Sequence, residues 1–140
     1  MRNFAFLASI FLILAVVPPS AWAAASEPKK EEATADRKVV APNVVTPVVR
    51  DGKLVNYLFV TVEVELADGA NALKLRDRAQ FLRDSLLRAT HRTGLADPTD
   101  DKRLNYAAAK PVFTAAANEA LGAANIKKVN IGTVDSLRRP

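Results

Sequence analysis

The longest regular pattern in the chain is an alternation of aliphatic and other side chains over Leu54–Leu66. Because successive side chains of a β-strand point to opposite sides, this period of two predicts a strand with one core face. The other face is apolar at Tyr57 and Phe59 and acidic at Glu63 and Glu65, so we expect its first part to be covered and its second part to be solvated. The predicted core face comprises Leu54, Leu58, Val60, Val62, Val64 and Leu66.

A second strand precedes this one and is predicted to pair with it as a hairpin. The connecting Arg50–Lys53 segment contains Asp-Gly, and glycine tolerates the positive φ that a tight turn requires. The partner strand therefore includes Val48–Val49. The earlier Val39–Pro47 segment alternates valine with prolines that cannot donate to a sheet, which confines it to a sheet edge or an extended lead-in.

Apolar residues at spacings of three and four predict a helix after the long strand. Asn71 is suited to cap its start, and Gly94 is placed to end it after Thr93. At 100° per residue the apolar positions fall on one side, which we expect to pack on the sheet. These positions are Leu75, Ala79, Leu82, Leu86 and Ala89.

A group of cations, which we call the basic stripe, lies beside this apolar side: Lys74, Arg78, Arg88 and Arg92. Asp84 is spaced to form an ion pair with Arg88. As a functional surface the stripe would bind a carboxylate-rich partner or phospholipid head groups, with Arg78, Arg88 and Arg92 as candidate contacts. The alternative interpretation is an ordinary solvated helix face.

The remaining sequence predicts one more helix and one more strand. Ala107–Leu121 has a helical pattern, with Pro111 tolerated near the first turn and Gly122 as the stop. Ile126–Val134 is rich in β-branched residues and predicts a strand. The order of elements is strand, strand, helix, helix, strand. It predicts an α+β domain with a mainly antiparallel sheet, built from the hairpin and the C-terminal strand, and two helices on one face.

The first residues have the organisation of an export signal. A short basic start is followed by a charge-free apolar run over Phe4–Val17, and small residues flank Trp22 where a signal peptidase would cleave. We expect an exported, periplasmic chain with a signal peptide over residues 1–23, or with that segment retained as a membrane anchor. Residues 24–43 are predicted to form a flexible linker, because the charged stretch at their start lacks large apolar side chains. Residues 44–137 then form a single domain.

Composition narrows the classes of partner and chemistry. The chain has no cysteine, which excludes disulfides and thiolate metal sites. Its net charge is +5, from 20 lysines and arginines against 15 acids. For an exported chain this balance favours anionic lipid, a wall polymer or an acidic protein face over nucleic acid, and it is also consistent with a soluble surface that binds none of these.

Residues suited to catalysis or metal binding are few. His91 is the only histidine and lies between cations, without a nearby carboxylate in the sequence to orient its ring. Glu63 and Glu65 share a strand face and would serve acid–base chemistry only in a desolvating cleft; a solvated sheet edge is the alternative. The acidic Asp100–Asp101 pair and the neighbouring Asp97 lack calcium-loop spacing and suit helix capping. We therefore expect no enzyme activity, no cofactor and no metal site.

The hairpin and first helix resemble a known family. The run from Val48 to Leu66, followed by Leu82–Leu87, is similar to the periplasmic domain of the flagellar basal-body-associated FliL family. The resemblance spans residues 44–135. It implies a stomatin-like fold without catalytic residues, an N-terminal membrane segment joined by a flexible linker, and rings assembled around flagellar stator units.

These observations support one main hypothesis about function. The chain is expected to be an exported, non-enzymatic interaction protein that self-associates or binds an envelope or motor complex such as the flagellar stator. The alternative is a soluble periplasmic module that binds an anionic lipid head group or wall polymer through the basic stripe, with a salt-sensitive interaction. A small hydrolase would require His91 or the Glu63 and Glu65 pair in a pocket. Membrane contact is expected through the N-terminal segment.

Overall fold

The computed structural model describes residues 37–137. The predicted signal peptide and residues 24–36 of the predicted linker lie outside the described residues. The sheet has three antiparallel strands in the order β1-β2-β3, and two long helices complete an α+β domain, which confirms the predicted fold class. The elements are β1 Lys38–Arg50, β2 Lys53–Leu66, α1 Ala72–Arg76, α2 Ala79–Arg92, α3 Tyr106–Leu121, a 3₁₀ turn Ala123–Asn125 and β3 Ile126–Ser136.

The hairpin forms at the predicted Asp-Gly turn, where Asp51 and Gly52 have φ of 49° and 72°. β1 begins at Lys38, so its first six residues occupy positions that the sequence assigned to the linker. The reason is that Val39 and Ala41 alternate into the core and are each 1% exposed. β1 is an edge strand, and its prolines are accommodated there because an edge strand leaves part of its backbone unpaired.

The core lies between the inner face of the sheet and the two long helices. The aliphatic positions of β2 from Leu58 to Leu66 are buried, as predicted. Leu54 is an exception at 51% exposed, because it lies next to the hairpin turn and beyond the register shift at Val48–Val49. Asn56 takes the buried inner position instead, and its side-chain amide donates to the Asp101 carbonyl oxygen at 2.8 Å.

The first predicted helix is divided in two. Asn71 caps α1 as expected, with its Oδ1 accepting from the Lys74 N–H at 3.0 Å. The backbone of Asp77 remains helical, but Arg78 has φ −91° and ψ 8°, and α2 begins only at Ala79. The apolar side nevertheless packs as predicted, because Leu75, Leu82 and Leu86 are buried.

The second long helix follows the prediction closely, with one difference. α3 begins at Tyr106 behind an Asn105 cap, and Gly122 ends it with φ 86°. Pro111 is therefore the sixth helical residue and lies beyond the first turn. Together the elements form two layers, with both long helices on the inner side of the sheet.

Candidate interaction surfaces

The basic stripe is not a continuous cationic surface. Arg88 Nη2 lies 3.2 Å from Asp84 Oδ2, as the spacing predicted, and 3.9 Å from Glu119 Oε1 on α3. The Arg78 guanidinium lies 5.9 Å from the centroid of the Phe81 ring. Arg92 is exposed at the end of α2 and forms no ion pair with any residue between 37 and 137. The two carboxylates thus neutralise the middle of the stripe and leave its ends positive.

A second surface, which we call the outer face, is the side of the sheet away from the helices. Antiparallel partners share a face, so the register places Val45, Phe59 and Asp135 side by side across the three strands. Pro47 pairs with Tyr57. The Leu137 N–H donates to the Tyr57 carbonyl oxygen at 3.0 Å and extends the same row. The apolar half of the outer face therefore comprises Val45, Pro47, Tyr57, Phe59 and Leu137, with the Asp135 carboxylate beside Phe59.

These apolar side chains are only partly shielded. Tyr57 and Phe59 are half-buried, and so are Glu63 and Glu65, so the expected contrast between a covered and a solvated part is absent. Leu137 is 60% exposed. The described helices lie on the other side of the sheet and give this half no cover. An apolar row without cover in the described part of the chain is a surface suited to contact with another molecule.

The charged half of the outer face is internally compensated. Lys38 Nζ lies 3.4 Å from Glu63 Oε2, and Lys127 Nζ lies 3.0 Å from Glu65 Oε1. The hydrogen bond from Lys127 lowers the pKa of Glu65, and the same bond raises the pKa of Lys127. With Lys128 opposite Glu65 and Asp135 opposite Phe59, the whole face carries three cations and three anions, a net charge of zero.

Two bulges meet in the middle of the outer face. The register of β1 shifts between Ala41 and Val44, and the register of β3 shifts opposite the same point of β2, at Thr61. Asn43 has φ 52°. The Thr133 hydroxyl donates to Thr61 Oγ1 at 3.2 Å. Because bulges bend a strand and increase its twist, they separate the apolar half from the charged half.

His91 lies far from any arrangement of a catalytic kind among the described residues. Its Nδ1 is 2.8 Å from the Leu87 carbonyl oxygen, one turn earlier in α2. It lines a cleft of about 280 Å³ with Arg50. The Arg50 guanidinium is held by Asp101 Oδ1, 2.7 Å from Nε, and by the Asp97 carbonyl oxygen. The cleft therefore places no carboxylate against the histidine ring.

The acidic residues of the sheet and loop also serve local structure. Glu63 and Glu65 bind lysines, and the lowered pKa of Glu65 is opposite to the change that a general acid requires. Asp97 Oδ1 accepts from the Thr99 N–H and hydroxyl, which lowers its pKa, and Asp100 accepts from the Lys102 N–H. These aspartates stabilise turns, whereas Asn105 caps the following helix. No metal-binding group of three or more histidines, cysteines or acids occurs within residues 37–137.

The comparisons with known proteins supply no family. The chain matches no protein-family model, and no curated protein or solved structure is significantly similar to it. The resemblance to the FliL family stays a prediction from the sequence. Among the described residues, none of the helices combines the length and apolar character that crossing a membrane requires.

Sequence reasoning located part of the candidate surface and missed part of it. Tyr57 and Phe59 were assigned to the face opposite the core, and the structure places both there. The hairpin register adds Val45 and Pro47, which the alternation in β1 could have indicated once the turn was fixed. Leu137 joins them only because β3 runs past Val134, and its sequence context carries no strand signal.

Proposed function

We propose that this chain is an exported, non-enzymatic interaction protein of the FliL type, which associates with a second copy of itself through the outer face. The observation that carries the proposal is the apolar half of this face, which no described helix covers. Contiguous apolar patches that are rimmed by polar residues mark protein contacts. The resemblance to FliL, whose members assemble in rings, supports self-association in general but not this face in particular, because a ring uses two different surfaces of each copy.

The charge of the outer face favours a second copy as the occupant. The chain carries a net charge of +5, so two copies repel each other over most of their surfaces. The outer face is neutral, since its three cations balance its three anions. A contact that uses this same face on both copies therefore brings no excess of like charge together. An acidic partner would instead be attracted to the exposed ends of the basic stripe.

The dimensions of the face predict a weak contact. Three strands spaced about 4.8 Å apart make a strip about 14 Å wide, and its length is about 40 Å, so its projected area is roughly 560 Å². Standard interfaces bury about 800 Å² on each partner. We therefore expect the association to depend on protein concentration. An assembly in the cell envelope would strengthen it by raising the local concentration of the chain.

Sedimentation velocity of the purified protein over a range of concentrations tests this proposal. We expect the wild-type sedimentation coefficient to rise with concentration, and the Phe59→Lys protein to remain a monomer because it removes the aromatic ring from the centre of the apolar half. Phe81→Lys is the matched control, since Phe81 is 62% exposed on α2 and lies away from the outer face. Equal association by wild type and Phe59→Lys would contradict the proposal.

The second candidate function is the binding of an anionic ligand such as a wall polymer by the basic stripe. Arg92 favours it, because this exposed side chain has no ion pair within the described range. The pairing of Arg88 with Asp84 and Glu119 weakens it. Salt separates the two functions: added salt screens contacts of Arg92 with a polyanion, whereas association through apolar side chains persists. Docking on a stator or other envelope protein would use another surface once the outer face is covered by the second copy.

A further inference from the structure

We infer that the corner formed by α1 and the first turn of α2 contacts the surface of an anionic phospholipid bilayer. We call this the α1–α2 corner and define it by Leu73, Lys74, Arg78 and Phe81. It is built on the helical layer, whereas the outer face belongs to the sheet. The inference is therefore independent of the proposed self-association.

The corner holds the two most exposed large apolar side chains of residues 37–137. Leu73 is 72% exposed and Phe81 is 62% exposed. Their neighbours Leu75 and Leu82 supply the core contacts, being 5% and 0% exposed. Leu73 and Phe81 thus contribute little to packing within the domain. They are eight residues apart with the break at Arg78 between them, and both are exposed on the side away from the buried Leu75 and Leu82.

Cations lie beside both apolar side chains. Lys74 follows Leu73, and the Arg78 guanidinium lies over the Phe81 ring. Neither Lys74 nor Arg78 forms an ion pair with a residue of the described range. Counting Arg76 and Asp77 between them, the segment has a net charge of +2. At a bilayer surface such an arrangement places the apolar groups at the acyl boundary and the cations at the lipid phosphates.

The chain enters the domain at the same end of the sheet as this corner. The Arg37 carbonyl oxygen accepts from the Leu66 N–H at 2.9 Å, and Arg37 Nη2 lies 2.6 Å from the Ala67 carbonyl oxygen. The chain therefore enters the domain beside the loop that leads into α1. In the sequence, 19 residues separate Arg37 from the apolar run that ends at Val17. Fully extended, they span at most about 65 Å, which permits this corner to contact a membrane that holds the N-terminal segment.

A fluorescent probe on the full-length protein tests the inference. The chain has no cysteine, so Gln80→Cys introduces a single attachment site for an environment-sensitive dye beside Phe81. Ala107→Cys is the matched control, because it is also exposed but lies at the start of α3, at the other end of the helical layer. The labelled proteins are reconstituted in nanodiscs of phosphatidylcholine alone and of phosphatidylcholine with phosphatidylglycerol.

We expect the emission of the dye at position 80 to shift to shorter wavelength in the discs with phosphatidylglycerol, and the dye at position 107 to show no shift. The shift should be lost in Phe81→Ser and in the double variant Lys74→Glu with Arg78→Glu. Two variants with different chemistry keep the test valid if one of them folds poorly. The inference is overturned by equal emission at position 80 in both kinds of disc, or by the same shift at position 107. The inference is also overturned if the dye at position 80 shifts only when an acidic protein is added and not in the discs alone.

Discussion

Two buried threonine hydroxyls illustrate how single residues contribute to stability. Thr90 Oγ1 lies 2.9 Å from the carbonyl oxygens of both Val45 and Leu87, so it joins α2 to β1. Thr46 is 0% exposed on the inner face of β1, and its Oγ1 has no hydrogen-bond partner among residues 37–137. A buried hydroxyl without a partner loses its hydration and gains nothing in return. Thr46 should therefore destabilise the fold relative to an apolar residue of similar shape.

Thr46→Val is expected to raise the free energy of unfolding by about 1 kcal/mol, because valine has nearly the same shape and no hydroxyl to desolvate. Thr90→Val is the matched control and should lower the free energy of unfolding by about 1–2 kcal/mol, since it removes a bonded hydroxyl. Urea titrations of the three proteins measure both changes. A lower unfolding free energy for Thr46→Val would show that its hydroxyl is bonded in solution.

The ion pair of Glu65 and Lys127 predicts how stability depends on acid pH. The hydrogen bond from Lys127 lowers the pKa of Glu65 in the folded chain below its ordinary 4.5. As the pH falls, the unfolded chain binds this proton first, so the contribution is present above the ordinary pKa and is lost as the pH falls through the folded value. Glu65→Gln should reduce the loss of stability as the pH falls below about 5.

Thermal unfolding measured across this pH range tests the Glu65 prediction. Lys127→Met should produce the same flattening, because it removes the first cause of the pKa change. Parallel pH profiles for wild type and both variants would contradict the assignment.

At the scale of elements, most of the fold follows from periodicity, and the exceptions have local causes. The alternation over β2 predicted the second strand of the hairpin. The three-and-four spacing of Leu75, Leu82 and Leu86 predicted the helix that packs on the sheet. The start of β1 at Lys38 was hidden because its charged flank resembles a linker. The bulges opposite Thr61 and the break at Arg78 depend on backbone angles that these residue types do not specify.

Pro111 is poorly suited to its position inside α3. As the sixth residue of α3 it lacks the N–H that the Ala107 carbonyl oxygen would accept, and its ring crowds the preceding turn. Pro111→Ala is therefore expected to raise the free energy of unfolding by about 1–2 kcal/mol. Alanine has the higher helix propensity, and part of this gain is offset because the unfolded chain becomes more flexible without the proline. Lys110→Ala, at an exposed helical neighbour, is the control and should have a small effect.

Chemical denaturation measures both changes in α3. A loss of stability in Pro111→Ala would mean that the proline ring makes a contact that the helix needs.

At the scale of the whole molecule, the domain has two layers and therefore two different surfaces. The outer face of the sheet is neutral and apolar in its first half. The helical layer carries the exposed Leu73 and Phe81 and cations that form no ion pair among residues 37–137. The sequence predicted the two layers and the residues Tyr57 and Phe59. It did not predict the neutral balance of the face, because that balance depends on which strands lie side by side. The Arg78, Arg88 and Arg92 contacts proposed from the sequence belong to the helical layer, where Arg88 is already paired.

The most direct test of self-association is photo-crosslinking inside living cells of the native host. A photo-reactive amino acid replaces Phe59 in the apolar half of the outer face, and the same amino acid at Ala107 on α3 is the control. We expect an adduct of two copies of this chain from position 59, identified by mass spectrometry, and no such adduct from position 107. Adducts of position 59 with other proteins only, or equal chain–chain adducts from both positions, would contradict it.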